Sequence, residues 1–276
     1  MKTGFSTNAF VKKSLNFAIN SVAKTGFDGI EIVLDVPHAF LPITKTRIGN
    51  IKNKIKQNQL KITNLNANTV VGWYKNKLNI EKFEPSLSNQ NEKMRKWRIK
   101  NIQQSIDLAE ELDAPSICIT SGLGGNSTKK ESLARFRDSL DIILPYAEKK
   151  GVLIGIEYEP GLLIEKFNDV KPFISNEYKN LGVNFDVCHA AVLGENIPKI
   201  IKKLGPKLFH THISDCKNKI HYHLIPGIGE INFKTMYKAL LDINYKGFLT
   251  AELYPYSTNP EKAAKETIMY FNKLMK

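Results

Sequence analysis

Cysteine is scarce: the 276 residues hold three, Cys118, Cys188 and Cys216, with no CxxC spacing among them. An odd, sparse set of this kind excludes a disulfide framework and a zinc site built from thiolates. Three small, partly buried apolar side chains are expected instead. Long apolar runs are missing as well. No stretch approaches the roughly 18 continuous apolar residues of a membrane span, so no membrane partner is expected. The opening residues, Met1-Lys2-Thr3-Gly4-Phe5-Ser6-Thr7-Asn8, lack the apolar core of a secretory signal, which makes the cytoplasm the expected location. No GxGxxG follows the first strand candidate, which counts against a dinucleotide-binding open sheet. The GLGG tract at 122–125 lacks the lysine of a phosphate loop and reads as a tight turn.

Acidic residues are the minority charge, 27 against 40 Lys and Arg, for a formal net charge of +13. Most of the excess is lysine spread along the chain, with small clusters at Lys52, Lys54, Lys56 and Lys61 and at Lys202, Lys203 and Lys207. Solvated helical faces are the plain expectation. A nucleic acid or a phosphorylated substrate stays open as the partner such a charge would attract.

What is present is an alternation. Short β-branched runs at 1–6, 29–34, 60–66, 114–120, 152–158, 181–187, 208–214 and 247–253 are each followed by a helical pattern, at 8–24, 44–58, 90–112, 127–150, 164–174, 198–204, 233–243 and 259–274. Eight such units predict an α/β fold, a closed parallel (β/α)8 barrel ringed by helices, as one domain over 1–276. The long polar stretch at 70–89, with Trp73, Tyr74 and Phe83, is expected as an inserted loop or lid.

A parallel barrel carries its chemistry at the C-terminal ends of its strands. There the fifth strand candidate ends Glu157-Tyr158-Glu159 and the sixth ends Asp186-Val187-Cys188-His189. The seventh reads His210-Thr211-His212 and the eighth ends at Glu252. Residues two apart on a strand share a face, which pairs Glu157 with Glu159 and His210 with His212. Of six histidines, five lie between His189 and His223, and only His38 lies apart. Carboxylates converging on one mouth repel unless a cation joins them. Glu157, Asp186, His212 and Glu252 are therefore expected as ligands of a divalent metal: Mn²⁺, Co²⁺, Fe²⁺, Zn²⁺ or Mg²⁺. His38 could be loop surface or a substrate contact, and both stay open.

The segments IEYEPG (156–161), NFDVCHA (184–190), FHTHISD (209–215), HYHLIPGIGE (221–230) and TAELY (250–254) resemble the xylose-isomerase-like barrel superfamily. FDGIEI (27–32) fits that group's second strand. The group holds sugar and sugar-phosphate isomerases and epimerases, inosose-processing enzymes and endonuclease IV. The resemblance implies Glu157, Asp186, His212 and Glu252 as the metal set, with Mn²⁺, Co²⁺ or Mg²⁺ favoured over Zn²⁺. It implies Glu157 and Glu252 as catalytic acid and base. It makes His189 a contact to substrate or to a second metal. Glu159, His221 and His223 are the further substrate-binding expectation. The implied reaction is enediolate proton transfer on a sugar, sugar phosphate or cyclic polyol. The alternative is a phosphodiester hydrolase of the endonuclease IV type. That branch needs histidines at the ends of strands three and four, where this chain has Asn64-Leu65-Asn66 and Ile119-Thr120-Ser121. HYHLIPGIGE also lacks the arginine that simple epimerases often place there. The group suggests a homo-oligomer without fixing its size.

Overall fold

The computed structural model describes residues 1–68, 70–75, 83–174 and 178–276. The strands are β1 (Lys2–Ser6), β2 (Gly29–Val33), β3 (Lys61–Asn66), β4 (Ser116–Ile119), β5 (Leu153–Ile156), β6 (Leu181–Asp186), β7 (Leu208–Ile213), β8 (Asp215–Lys217), β9 (Ile220–Leu224) and β10 (Phe248–Ala251). Eight of them pair in parallel round a closed ring in the order β1-β10-β7-β6-β5-β4-β3-β2, while β8 and β9 form a separate hairpin. The ring strands are buried almost throughout, β4 and β6 at every position. Parallel strands covered by helices outside and filled by side chains inside are buried on both faces.

The helices are α1 (Leu15–Thr25), α2 (Lys45–Gln57), α3 (Val71–Tyr74), α4 (Glu92–Glu111), α5 (Lys129–Lys149), α6 (Phe167–Val170), α7 (Val187–Val192), α8 (Ile197–Leu204), α9 (Phe233–Asp242) and α10 (Pro260–Leu274). Local chemistry starts and stops them. Thr128 and Glu131 satisfy each other's backbone N–H groups in a capping box at the start of α5. Ser14 caps α1, and Gly26 ends it in the left-handed conformation at φ 96°. No helix among the described residues is long and apolar enough to cross a membrane.

The expected barrel is the observed one, with differences at the edges of elements. The pattern at 164–174 yields only the short α6, because Phe167 and Val170 bury while the flanking residues turn. Between the seventh strand candidate and the helix expected at 233–243, where the sequence pattern marks no element, the chain makes the β8–β9 hairpin. Its turn residues Asn218 and Lys219 both have positive φ, 54° and 57°. Lysine is an unusual second residue for such a two-residue turn, so the local signal was weak. The expected lid at 70–89 is described only at its two ends, since 76–82 lie outside the described residues. On the near side, the Asp35 carboxylate accepts from the N–H groups of Val70, Val71 and Gly72 at 2.7–2.8 Å. On the far side, Glu84 accepts from Ser86, Asn89 and Leu123.

Lys52, Lys54 and Lys56 lie on α2 and Lys202 and Lys203 on α8, while Lys61 opens β3 and Lys207 sits just before β7, donating to the Tyr178 and Leu181 carbonyls. Lys52 pairs with Asp113 at 2.9 Å and Lys202 with Asp242 at 3.3 Å, both largely exposed. Exposed pairs of this kind contribute little to stability. They bear out the solvated-face expectation at these positions.

Candidate active site

The strand register places the site. Asp186, the last residue of β6, pairs with His212 of β7, and His212 pairs with Thr250 of β10. Glu157 follows β5 directly, its N–H donating to the Ile119 carbonyl at 2.8 Å. Glu252 follows β10, its N–H donating to the Ile213 carbonyl at 3.2 Å. Four neighbouring strands thus raise four polar side chains to one rim. Two of them, Glu157 and Glu252, line a cavity of about 340 Å³ at the C-terminal mouth. Glu157, Glu159, His189, His221, His223 and Glu252 line it, joined by Asn8, Asn66, Asn68, Tyr254 and two apolar side chains, Val33 and Phe83.

Glu157, Asp186, His212 and Glu252 are all buried and each offers a ligand atom within 4.8 Å of the others. His212 Nδ1 lies 2.6 Å from Glu157 Oε1 and 3.5 Å from Glu252 Oε2. Asn184 donates to Glu157 Oε1 at 2.9 Å, and the Cys118 thiol to Oε2 at 3.3 Å. Asp186 uses Oδ1 to accept from the N–H groups of Cys188 and His189, 2.6 and 3.1 Å away, and so caps α7. Its Oδ2 is buried with no hydrogen-bond partner. Three carboxylates, one imidazole and an orphaned oxygen are the donor set that a divalent cation takes, so these residues fit one.

Electrostatics carry the strain of that crowding. Burial pushes Glu252 well above the usual carboxylate range, and the neighbouring Glu157, Asp186 and Glu31 add to it against the pull of His212. Burial works against a charge on His212, but Glu252, Glu31 and Glu157 outweigh it and hold the ring well above the ordinary imidazole value. Asp186 is raised by burial and lowered further by His189, His223 and His212, for a net fall. The upward shifts of Glu252 and His212 both act in the direction that favours positive charge within this group of carboxylates.

Above this group sits a histidine cluster. The turn of α7 lifts His189 to the rim, with its Nδ1 donating to the Tyr158 carbonyl at 3.0 Å. His223 Nδ1 donates to the Glu252 carbonyl at 3.0 Å, and its Nε2 lies 2.6 Å from His221 Nε2. Burial draws His221 down to about 4, helped by its histidine neighbours. The hairpin that carries His221 and His223 is tied down by Asp215, whose carboxylate accepts from the N–H groups of Cys216, Gly227, Gly229 and Ile231 at 2.9–3.1 Å. A Cβ at Gly229 would collide with that carboxylate and with the Cys216 carbonyl, so only glycine allows the approach.

The model of the xylose isomerase-like TIM barrel family matches residues 19–274. This chain belongs to that family. Among curated relatives, the fructoselysine 3-epimerase of Shigella flexneri is 27% identical over 281 residues, covering 100% of this chain and 98% of the relative. Among solved structures, a D-tagatose 3-epimerase-like protein is 25% identical with a TM-score of 0.78, covering 100% of both chains. The 3-keto-D-glucoside 4-epimerase of Escherichia coli is 20% identical with a TM-score of 0.81, covering 99% of both, and that likeness concerns the fold.

Six of the eight site residues expected from the sequence, Glu157, Glu159, His189, His221, His223 and Glu252, line one cavity of this xylose isomerase-like barrel, and Asp186 and His212 lie within ligand distance of Glu157 and Glu252 without lining it. Glu157 and Glu159 do so from beyond the end of β5 rather than from its alternating face, because the strand stops at Ile156. His38 is a correction: it is neither loop surface nor a cavity residue. It is fully buried, its Nε2 donates to the Phe10 carbonyl at 3.1 Å, and Arg47 holds its own carbonyl. The three cysteines are free and buried outright rather than partly. His210 shares the interior face with His212 as expected, but it lies deeper. Burial draws it down to about 3, so it is neutral.

Sequence reasoning passed over Glu31. It lies at the centre of β2, wholly buried, with Oε2 2.8 Å from His212 Nε2 and 2.8 Å from Asn64 Nδ2. Burial pushes its carboxyl up, and His212, His210 and Asn64 more than offset that to hold it at about 2. The signal was in FDGIEI at 27–32: an acid inside a run of apolar strand residues. Asn8, Asn66 and Asn68 carried no comparable signal, since isolated asparagines are common in strand ends and turns.

Proposed function

We propose that this protein is a divalent-metal-dependent epimerase or isomerase acting on a ketose or a related polyol. The observation that carries the reading is the convergence of Glu157, Asp186, His212 and Glu252, with the two glutamates flanking the other two around the barrel mouth. Glu157, Asp186, His212 and Glu252 would hold the ion. When bound, a divalent cation polarises a substrate carbonyl and its neighbouring hydroxyl and lowers the cost of removing the proton between them.

The side chains then divide the remaining work. Glu157 and Glu252 follow strands separated by β6 and β7, so a carbon held in the cavity is approached from two sides. One carboxylate removes the proton and the other returns one, which inverts the centre. His189 turns Nε2 to the cavity because it spends its Nδ1 proton on a backbone carbonyl, whereas His223 Nε2 is taken by His221. The histidine cluster binds substrate hydroxyls and fixes the substrate's register. Among the described residues no lysine or arginine lines the cavity. That supports a neutral polyol over a sugar phosphate. The curated 3-epimerase relatives support the sugar class.

The test is a panel of ketoses and ketosamines incubated in D₂O with Mn²⁺, Co²⁺ or Mg²⁺. Deuterium at the carbon beside the carbonyl, together with the epimeric product, is the expected result. Glu157→Gln and Glu252→Gln should each lose about 10²–10⁴ of the turnover while remaining folded. A metal-loaded protein that exchanges no substrate proton but incises abasic duplex DNA would move the reading to hydrolysis.

A further inference from the structure

Glu31 does not line the cavity, yet it is buried without exposure at the middle of a barrel strand. A carboxylate there is costly unless it is paired and hydrogen-bonded. Its surroundings are built to keep it. The Ser116 hydroxyl donates to Asn64 Oδ1 at 2.7 Å, which turns Asn64 Nδ2 toward Glu31. On its other side Oε2 faces His212 Nε2 at 2.8 Å. An ionised carboxylate only accepts, so the proton between them is carried by Nε2. Nδ1 is then the nitrogen turned to Glu157 and Glu252, 2.6 and 3.5 Å away.

We propose that Glu31 is a positioning residue: by accepting the Nε2 proton of His212 it fixes the ring with Nδ1 presented to the carboxylate group at the mouth, and so strengthens that group's hold on a divalent ion. This rests on the metal-dependent reading above. A histidine ligand whose second nitrogen donates to a carboxylate gains basicity and a fixed orientation, and loss of such a partner typically weakens metal binding about 10–100-fold. The geometry contains a rival. His210 Nε2 lies 3.6 Å from the same Glu31 oxygen and has no hydrogen-bond partner, so Glu31, His210 and His212 could hold a cation of their own. That arrangement would take Nε2 of His212 as a ligand atom and leave Glu31 no proton to accept from it.

The experiment is a calorimetric titration of chelator-stripped protein with Co²⁺, wild type beside Glu31→Gln and Asn64→Ala. Unchanged stoichiometry is expected, with Kd raised about 10–100-fold in Glu31→Gln. A smaller rise is expected in Asn64→Ala, which keeps the charge and frees its orientation. In Zn²⁺-loaded protein, the His212 Nε2–H proton seen by long-range ¹H–¹⁵N correlation should lie downfield and move upfield in Glu31→Gln. A merely structural role lowers the melting temperature and leaves both that resonance and Kd in place. Wild-type affinity in both variants overturns the proposal, as does loss of a whole equivalent of Co²⁺ in Glu31→Gln, which would make Glu31 a ligand. If Glu31→Gln does not fold, Asn64→Ala decides alone. A wild-type chain that binds no divalent ion overturns the metal-dependent reading and this proposal with it. Wild-type binding with unaltered variants overturns this proposal only.

Discussion

The Nδ1 proton of His189 is given to the carbonyl oxygen of Tyr158 at 3.0 Å, which leaves Nε2 facing the cavity between Asp186 and the histidine hairpin. Burial disfavours a charge on His189, but Asp186, Glu159 and Glu157 outweigh it and raise the ring above its ordinary value. The ring is thereby biased toward its protonated form, with Nε2 aimed at the cavity. Hydrogen bonds to charged groups contribute about 1.5–3 kcal/mol, so His189→Ala should lower kcat/KM by about 10- to 100-fold. Metal stoichiometry should not change. Steady-state kinetics beside elemental analysis check this, and an unaltered kcat/KM removes His189 from substrate binding.

Asp215 is the keystone of the mouth hairpin. Removing its carboxylate in Asp215→Ala strands four backbone N–H groups that it now satisfies. Each buried unsatisfied donor costs about 1–3 kcal/mol, and partial rescue by water makes a total of roughly 3 kcal/mol the expected loss. Asp215→Asn keeps the shape but can accept at only one oxygen, so it should fall between. Denaturant unfolding reads the energies. A loss in Asp215→Ala below about 0.5 kcal/mol, the usual range of a neutral surface change, would show that the loop holds without it.

The metal-free protein should be less stable at higher pH. His212 binds its proton more tightly in the folded chain than in the unfolded one. Its contribution is complete below the unfolded imidazole value of about 6.5 and is lost as pH rises through the folded value. Glu252, also raised on folding, has the same sign, complete below its unfolded value and lost as pH rises through its folded one. In chelator, the melting temperature should therefore fall from pH 6.5 upward, and His212→Gln should flatten that slope. A divalent ion has to displace the same protons, so the stabilisation it confers should grow over that interval. A metal-free melting temperature that climbs with pH in wild type and variant alike would contradict the assignment.

Much of this site was legible in the chain before folding was considered. Glu157, Asp186, His212 and Glu252 could be found because each sits at or just past the end of a short β-branched run, and a closed parallel barrel brings all such ends to one rim. Glu31 could not be found that way. It lies mid-strand, where an inward acid looks the same whether it is a tolerated exception or a working group. His38 misled for the opposite reason: a histidine beside proline in a loop gives no sign that the loop folds inward to meet Phe10.

Local order thus determined the periodicities, the caps and the alternation of strands with helices, because those depend on residues a few positions apart. Only the tertiary structure decided the pairings across the barrel. Glu31 and His212 are 181 residues apart. Their contact depends on closure of the ring, on the shifts of register between β2 and β3 and between β6 and β7, and on a Ser116–Asn64 bridge that orients the carboxylate. Distances of a few ångströms between remote residues come from how the whole ring closes, and no short window of sequence contains that information.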